Sequence, residues 1–451
     1  MNNELGTGNI RKLVFKLAIP TVIAQLINIM YSMVDRIYIG HIENIGTVAL
    51  TGIGITLPII IIISSFASLI ASGGAPKASI KLGENDIKGA NKILGNSFIL
   101  LIIISILLTT IIYFTKEELL MFFGASAQTL PYALEYLDIY LLGTISVQLA
   151  LGLNQFISAQ GKTKVAMISV LIGAIINIIL DPIFIFTFGL GVKGAAYATI
   201  IAQSVSAIWI IVFLISKKSI MNIKKENFKL DKALCLSIIG LGLSPFVMQI
   251  TEAAIQIVFN TQLLAYGNDM YIASMTILIS CMQMVMMPAS AFGMGVQSLI
   301  SYNYGAKKID RVRQTFRIML ITEALFCLSM FFIMQFFSPI IAAIFTDDPI
   351  LINLASKNMK MFFLGAWPMG MQMACQMTFL SLGQAKISLF LAVLRKIILL
   401  IPLAYILPMF LQVNGIFYAE AIADIIASFT TMTLFILNFN KILTNRVNEQ
   451  N

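Results

Sequence analysis

Twelve stretches of this chain stay apolar for about the thickness of a lipid bilayer. They run at about residues 13–39, 49–74, 93–114, 132–158, 165–188, 194–216, 234–264, 271–302, 318–344, 351–379, 387–411 and 415–438. A helix needs about 20 such residues to cross roughly 30 Å of hydrocarbon. Backbone groups in lipid must be bonded within their own segment, so each stretch is expected to be a helix. A barrel would need short alternating segments, which this sequence lacks. The expected fold is therefore an all-α integral membrane protein with twelve transmembrane helices. Only 11% of the 451 residues are charged and 59% are hydrophobic. A soluble domain carries about 25% charge, so an ordinary globular enzyme is excluded.

The basic residues set the orientation. Arg11, Lys12 and Lys16 precede the first stretch, and Lys77–Lys92, Lys162–Lys164, Lys217–Lys232, Lys307–Arg317, Lys386, Lys441 and Arg446 fall on the same side of an alternating path. Only Lys116, Lys193, Lys357 and Lys360 fall on the other. The positive-inside rule then puts both termini in the cytoplasm. The net charge of +9 borders membrane spans, so no nucleic-acid partner is expected. The first ten residues are polar and the run behind them is too long for a leader's core, so no cleavable leader is expected. Cys235, Cys281, Cys327 and Cys375 lie in apolar runs without a CxxC pair and read as packing residues. His41 is the only histidine, which disfavours a histidine-ligated metal site.

The chain also repeats itself. Pro20 and Asp35 are matched by Pro245 and Asn260, Gly161 and Gly194 by Gly383 and Gly415, and Gln148 by Gln372. Six helices repeated once give two pseudo-symmetric lobes, residues 1–222 and 223–451, with a basic linker at about 217–232. An even number of helices per repeat keeps the halves parallel, and substrates of such proteins bind between the halves near the midplane.

Polar residues on these helices are the functional candidates. Gln25, Asn28, Ser32 and Asp35 share one face of the first helix, and Gln249, Glu252, Gln256 and Asn260 share one face of the seventh. Interhelical hydrogen bonding explains amides at such positions, but it does not require a charge, and an acid at bilayer depth costs on the order of 2.5–3.5 kcal/mol. Asn177 and Asp181 lie one turn apart, and Pro182 deprives the Ile178 carbonyl of its helical partner. With the Thr199 hydroxyl these oxygens suit a small cation; the alternative is that Pro182 kinks the helix and Asp181 caps the break. Glu420 and Asp424 lie one turn apart in the twelfth helix and Arg395 and Lys396 lie deep in the eleventh, and mutual neutralisation is their simplest account. Glu420 holds the repeat position of Thr199, and a substrate-binding role is its alternative. Glu323 lies six residues from Arg317 and is expected to snorkel to the inner interface. Methionines crowd the eighth helix (Met282, Met284, Met286, Met287) and the tenth (Met369, Met371, Met373, Met377). Flexible thioethers of this kind suit an adaptable binding surface. Gly161-Lys162-Thr163 is not the end of a phosphate-binding loop, because Phe156 stands where that loop needs glycine.

The twelve helices in two lobes, the segment MVDRIYIG (33–40), the segment NIILDPIFIF (177–186) and the segment GVKGAAYAT (191–199) resemble the multidrug and toxic compound extrusion (MATE) family. The resemblance spans nearly the whole chain and is most specific in the first lobe. It implies a cation site at Asp35, Asn177, Asp181 and Thr199, taking Na⁺ or H⁺, with no cofactor beyond that coupling ion. It also implies a cleft for amphipathic, often cationic drugs. Gln25, Asn28, Ser32, Gln148, Gln249, Glu252, Gln256, Met287, Gln372 and Gln376 are the residues assigned to that cleft. The tenth helix offers Gln372 and Gln376 where some members carry an acid, which argues against a full second-lobe cation site. The expectation is a non-enzymatic, monomeric, multi-pass antiporter of the cytoplasmic membrane whose partners are small-molecule drugs, organic cations and the lipid bilayer. A lipid-linked precursor flippase of the same superfamily, and a nontransporting receptor or scaffold, are the alternatives.

Overall fold

The structure is a computed structural model that describes residues 4–42 and 45–448. It is helical, with no strand among the described residues. A short α1 (Glu4–Thr7) precedes the long α2 (Ile10–Gly40), α3 (Gly46–Gly83) and α4 (Ile87–Phe122). Then come α5 (Leu130–Leu142), α6 (Thr144–Ala159), α7 (Thr163–Pro182) and α8 (Gly191–Ile215). The second half holds α9 (Lys232–Tyr266), α10 (Asp269–Gly305), α11 (Ile309–Phe336), α12 (Ser338–Ala343), α13 (Pro349–Phe362) and α14 (Ala366–Ser381). It closes with α15 (Ala385–Val393), α16 (Ile401–Ile406), α17 (Pro408–Leu411) and α18 (Val413–Asn448). Local chemistry marks several starts. Asp86 caps α4 by accepting from the Gly89 N–H at 2.7 Å, and Asp348 caps α13 by accepting from the Ile350 N–H at 2.9 Å, with Pro349 at the first helical position.

Ten helical segments among the described residues are long and apolar enough to cross a membrane. An eleventh span forms if α5 and α6, bent by 59° at Gly143, count as one. The expected span 351–379 is also broken, into α13 and α14 around a 3₁₀ turn at Phe363–Gly365. Both breaks fall in the fourth span of their half, and both carry a glycine. A Cβ on Gly143 would lie 2.4 Å from the Ile200 side chain, and one on Gly365 would lie 2.5 Å from the Ala421 carbonyl oxygen. The repeat is therefore visible in backbone packing. It recurs at Gly194, where a Cβ would meet the Phe184 backbone at 2.6 Å, and at Gly415, where one would meet the Leu407 backbone at 2.5 Å.

By packing, the chain forms two units. The N-unit is Ile19–Phe246, and the C-unit is Met1–Ala18 with Val247–Asn451. The expected boundary at 222/223 falls inside the N-unit. Residues 217–246 stay there because Asn96 accepts from the Asp231 N–H at 2.8 Å and donates to the Asn227 carbonyl at 3.2 Å, and because Gln160 accepts from the Ile220 N–H at 2.6 Å. Lys92 Nζ reaches Asp231 at 2.7 Å and, with the Leu234 N–H, holds that carboxyl below the usual carboxylate range. Residues 4–18 join the C-unit because Arg311 donates to the carbonyls of Leu5 (3.0 Å) and Gly8 (2.8 Å), and Lys308 donates to that of Gly6 (2.8 Å). Each unit thus gathers its expected cytoplasmic segments at one end. In the N-unit, Lys116 pairs with Asp138 and Lys193 with Glu135 away from that end.

Each unit buries its own apolar core. Ile53, Ile63, Leu137 and Ile185 help fill the N-unit's. Phe259, Phe362, Phe363 and Phe417 help fill the C-unit's. Within the N-unit, α3 and α9 meet at backbone distance. A Cβ on Gly73 would fall 1.9 Å from the Ile238 carbonyl oxygen, and one on Gly242 would fall 1.7 Å from that of Leu69. Small residues give helices in lipid this approach, where van der Waals packing replaces the hydrophobic drive.

Candidate functional site

In the N-unit the predicted acids meet. Asp35 on α2 and Asp181 at the end of α7 bring their carboxyl groups within hydrogen-bonding reach of one another. Asn177, one turn earlier on α7, donates from Nδ2 to Asp181 Oδ1 at 3.2 Å. Asn177 and Asp181 are buried, at 1% and 0% exposure, while Asp35 is half-buried. Asp35 Oδ1, Asp181 Oδ2 and Asn177 Oδ1 are all buried without a hydrogen-bond partner. Three orphaned oxygens on two helices form an electron-rich cluster that a proton, a cation or a water donor would satisfy. The donors are hard oxygens and include two acids, which suits a monovalent ion. No group of three or more metal-binding side chains occurs among the described residues.

Pro182 shapes the floor of this cluster. It has no N–H to continue the α-helical ladder, and the chain widens after it into a π turn at Ile183–Thr187, where Phe188 N–H bonds the Ile183 carbonyl at 2.9 Å. Such turns concentrate at functional sites. Gly194 lets α8 pack directly on the turn. This brings Thr199 of α8 to the hydroxyl of Tyr136 on α5, and Tyr136 lies in the field of Asp35. Tyr31, one turn before Asp35 on α2, pairs with Gln203, one turn beyond Thr199.

A cavity of about 80 Å³ opens beside this cluster. Its polar lining comes from Asn28 and Tyr31 (α2), Asn154 (α6), Ser169 and Asn177 (α7), and Thr199, Gln203 and Ser206 (α8). A water needs about 10–15 Å³ measured this way, and a drug-sized ligand needs about 300–1,000 Å³. The cavity therefore admits a few waters or a partly hydrated ion, and not a drug.

The residues assigned to a drug cleft divide. Asn28 lines this small cavity, while Gln25 and Ser32 are half-buried on the same helix outside its lining. Gln148 is fully buried and donates to the Ile63 carbonyl at 2.7 Å, so it joins α6 to α3. Its repeat counterpart Gln372 accepts from Ser428 at 3.3 Å and joins α14 to α18. Gln376 donates to Met248 Sδ at 3.4 Å. Gln249 and Met287 are half-buried, and Gln256 is exposed.

Glu252 is not a free cleft acid. It forms an ion pair with Lys396, whose side chain is 7% exposed against 64% for Glu252. Arg395 donates from Nε to Asp424 at 2.6 Å and from Nη2 to Glu420 at 3.2 Å. Arg395 thus makes the direct contacts to the twelfth-helix acids, while Lys396 bonds Glu252 of α9 and acts on Glu420 and Asp424 through its charge. The cause is a π stretch at Leu394–Leu400 between α15 and α16, within which both neighbouring basic residues are buried. Glu323 does not snorkel: it is 2% exposed, deep in the C-unit.

Tyr31, Tyr136, Asn154 and Gln203 were absent from the sequence-based site. The one available signal was helical spacing, since Tyr31 lies four residues before Asp35 and Gln203 four after Thr199.

The sequence profile of the MatE family matches residues 20–183 and again 245–406. Multidrug export protein MepA of Staphylococcus haemolyticus (strain JCSC1435) is 26% identical over 424 residues, covering 94% of this chain and 93% of its own length. MepA of Staphylococcus aureus (strain NCTC 8325 / PS 47) is 25% identical over 429 residues, covering 94% of this chain and 93% of its own. Among solved structures, a crystal structure of MATE in the bent conformation superposes with a TM-score of 0.92 at 21% identity, over 98% of each chain.

Proposed function

Because the chain belongs to the MatE family, a family of transporters and not of enzymes, we propose that it exports amphipathic, often cationic drugs across the cell membrane in exchange for Na⁺ or H⁺. One observation carries the coupling step: Asp35, Asp181 and Asn177 hold three buried oxygens without partners, beside a cavity sized for water and ions. The multidrug export relatives support the cargo class.

The cluster's electrostatics supply the mechanism. Two neighbouring carboxyls resist joint ionisation, and a bound proton or Na⁺ removes that repulsion. Ion binding therefore favours the arrangement in which α2 and α7 stay together, and ion loss favours their separation. The ion drives a conformational exchange only by binding the two forms unequally, and a site assembled from two helices meets that condition. Movement of one charge down the membrane potential supplies about 2.3 kcal/mol per 100 mV, enough to expel a neutral drug against a roughly fifty-fold gradient, whereas a monovalent cationic drug moving outward costs the same amount, so its one-for-one exchange is driven by the ion's concentration gradient. The flippase alternative needs free basic groups for a pyrophosphate. Arg395 and Lys396 are engaged by Glu420, Asp424 and Glu252, and Arg36 is exposed on α2 with its charge acting on Asp35.

The test is ethidium efflux from energised vesicles carrying Asp35→Asn or Asp181→Asn, with extracted protein yield as the folding control. Asparagine keeps an acceptor but carries neither proton nor charge, so efflux should cease in both at normal yield. Replacing the pH gradient with a Na⁺ gradient in the unmodified protein then identifies the ion. Near-normal efflux in both variants would falsify the coupling site.

A further inference from the structure

The C-unit holds one acid that none of its ion pairs explains. Glu323 sits on α11, 2% exposed, and neither carboxyl oxygen has a hydrogen-bond partner. Two glycines close the space around it. A Cβ on Gly293 of α10 would lie 3.1 Å from Oε1, with the Met377 side chain beside it, and a Cβ on Gly370 of α14 would lie 2.2 Å from the Glu323 carbonyl oxygen. α14 therefore packs at backbone distance on α11 at Glu323, and α10 with Met377 of α14 closes against its carboxyl.

No charged side chain acts on Glu323 itself. The titratable groups in its reach are two thiols, Cys327 one turn along α11 and Cys375 on α14. Asp424 of α18 also acts on Cys327, and its Oδ2 is the third orphaned carboxylate oxygen of the unit among the described residues, after the two of Glu323. Arg395 is occupied by Asp424 Oδ1 and Glu420, and Lys396 by Glu252. A carboxylate in hydrocarbon without counter-charge or donor does not stay ionised. In this arrangement Glu323 holds a proton. A purely structural acid would be matched with an acceptor for that proton, and an apolar side chain would fill the same space at less cost.

We propose that Glu323 is a proton-binding site of the C-unit, distinct from the acid pair of the N-unit and from the Arg395 and Lys396 ion pairs. The carboxylic acid is loaded as seen here, and it passes its proton to water when the packing of α10, α11 and α14 loosens enough to admit solvent. Proton binding stands on the geometry alone; its part in the transport cycle rests on the ion-coupled reading above.

The experiment uses the full chain in lipid vesicles treated with dicyclohexylcarbodiimide, which modifies only protonated carboxyls in apolar surroundings, followed by peptide mass analysis. Glu323 should be labelled at about pH 6, with labelling at least about threefold lower at about pH 9, as the neutral fraction falls. Equal labelling across that range would mark a permanently neutral structural acid, and no labelling at either pH would mean that Glu323 holds no accessible proton; either overturns the proposal. In parallel, Glu323→Gln should reduce the stimulation of ethidium efflux by an imposed pH gradient at least about threefold, because one proton-linked equilibrium is lost. An unchanged response assigns Glu323 no part in the cycle and overturns the coupled form of the proposal. Labelling of the unmodified protein decides if that variant does not accumulate. Titrating Glu323 labelling alongside normal efflux in Asp35→Asn would sink the N-unit reading and leave this one standing.

Discussion

The two units share a frame and differ in how they balance charge. Each half breaks its fourth span at a glycine, each packs a glycine of its sixth span on the backbone of the fifth, and each buries a glutamine as an interhelical link. In the N-unit the Asn177 amide donates to Asp181, the charge of Arg36 acts on Asp35 from the next position, and one buried oxygen of each acid is left over. In the C-unit Glu420, Asp424 and Glu252 each have a basic partner built into the protein. The difference separates a cluster with oxygens left open, which supports the proposed ion site, from one already neutralised. A buried ion pair is costly to break because the survivor is stranded, so the C-unit's network holds helices together, whereas the N-unit's cluster has no such internal pair to break on the proposed exchange.

Three changes would break or sharpen that contrast. The largest effect should come from Arg395→Met, which strands two acids at once. Breaking a buried pair costs about 3–5 kcal/mol, and thermal unfolding in detergent should register it. The triple variant Arg395→Met, Glu420→Gln, Asp424→Asn should recover most of the loss; if it does not, the network's charge balance is not what stabilises the unit. The converse is Asn177→Lys, which gives the N-unit an internal cation of its own. Ion-dependent ethidium efflux should fall at least about tenfold at normal yield, since the coupling ion loses its preference for one form. Retained efflux would show that the acids need no exchangeable partner. Gln148→Leu and Gln372→Leu should be the mildest pair, each costing about 0.6 kcal/mol, the usual worth of an interhelical hydrogen bond in membranes. A much larger loss of stability in one than in the other would mean that the shared frame is less symmetric than its packing.

Much of this was legible in the sequence. Apolar length marked the spans, and an acid inside such a span pointed to Asp35 and Asp181, because nothing apolar explains them. The breaks at Gly143 and Gly365 were not legible, since small residues are ordinary in membrane helices and only the neighbour across the gap shows why the chain bends there. Glu252 read as an accessible cleft acid because its partner lies 144 residues away, beyond any local pattern. The π stretch that buries Lys396 leaves no compositional trace either. Glu323 was misplaced because its distance from Arg317 suggested an interfacial end, whereas α11 carries it into the packed interior.

The chain passes between its units only inside helices, between Ala18 and Ile19 on α2 and between Phe246 and Val247 on α9, each next to a proline. The exposed stretch around Lys224 and Lys225 is not a tether between the two units, because it lies wholly within the N-unit. A protease nick there would yield two pieces, neither of them a unit. The first piece would still supply the opening turns of α2 to the C-unit, and the second would still supply the opening turns of α9 to the N-unit. The halves are therefore mutually completing, and this protein should tolerate being made as two polypeptides split at that stretch, each serving as the other's missing part.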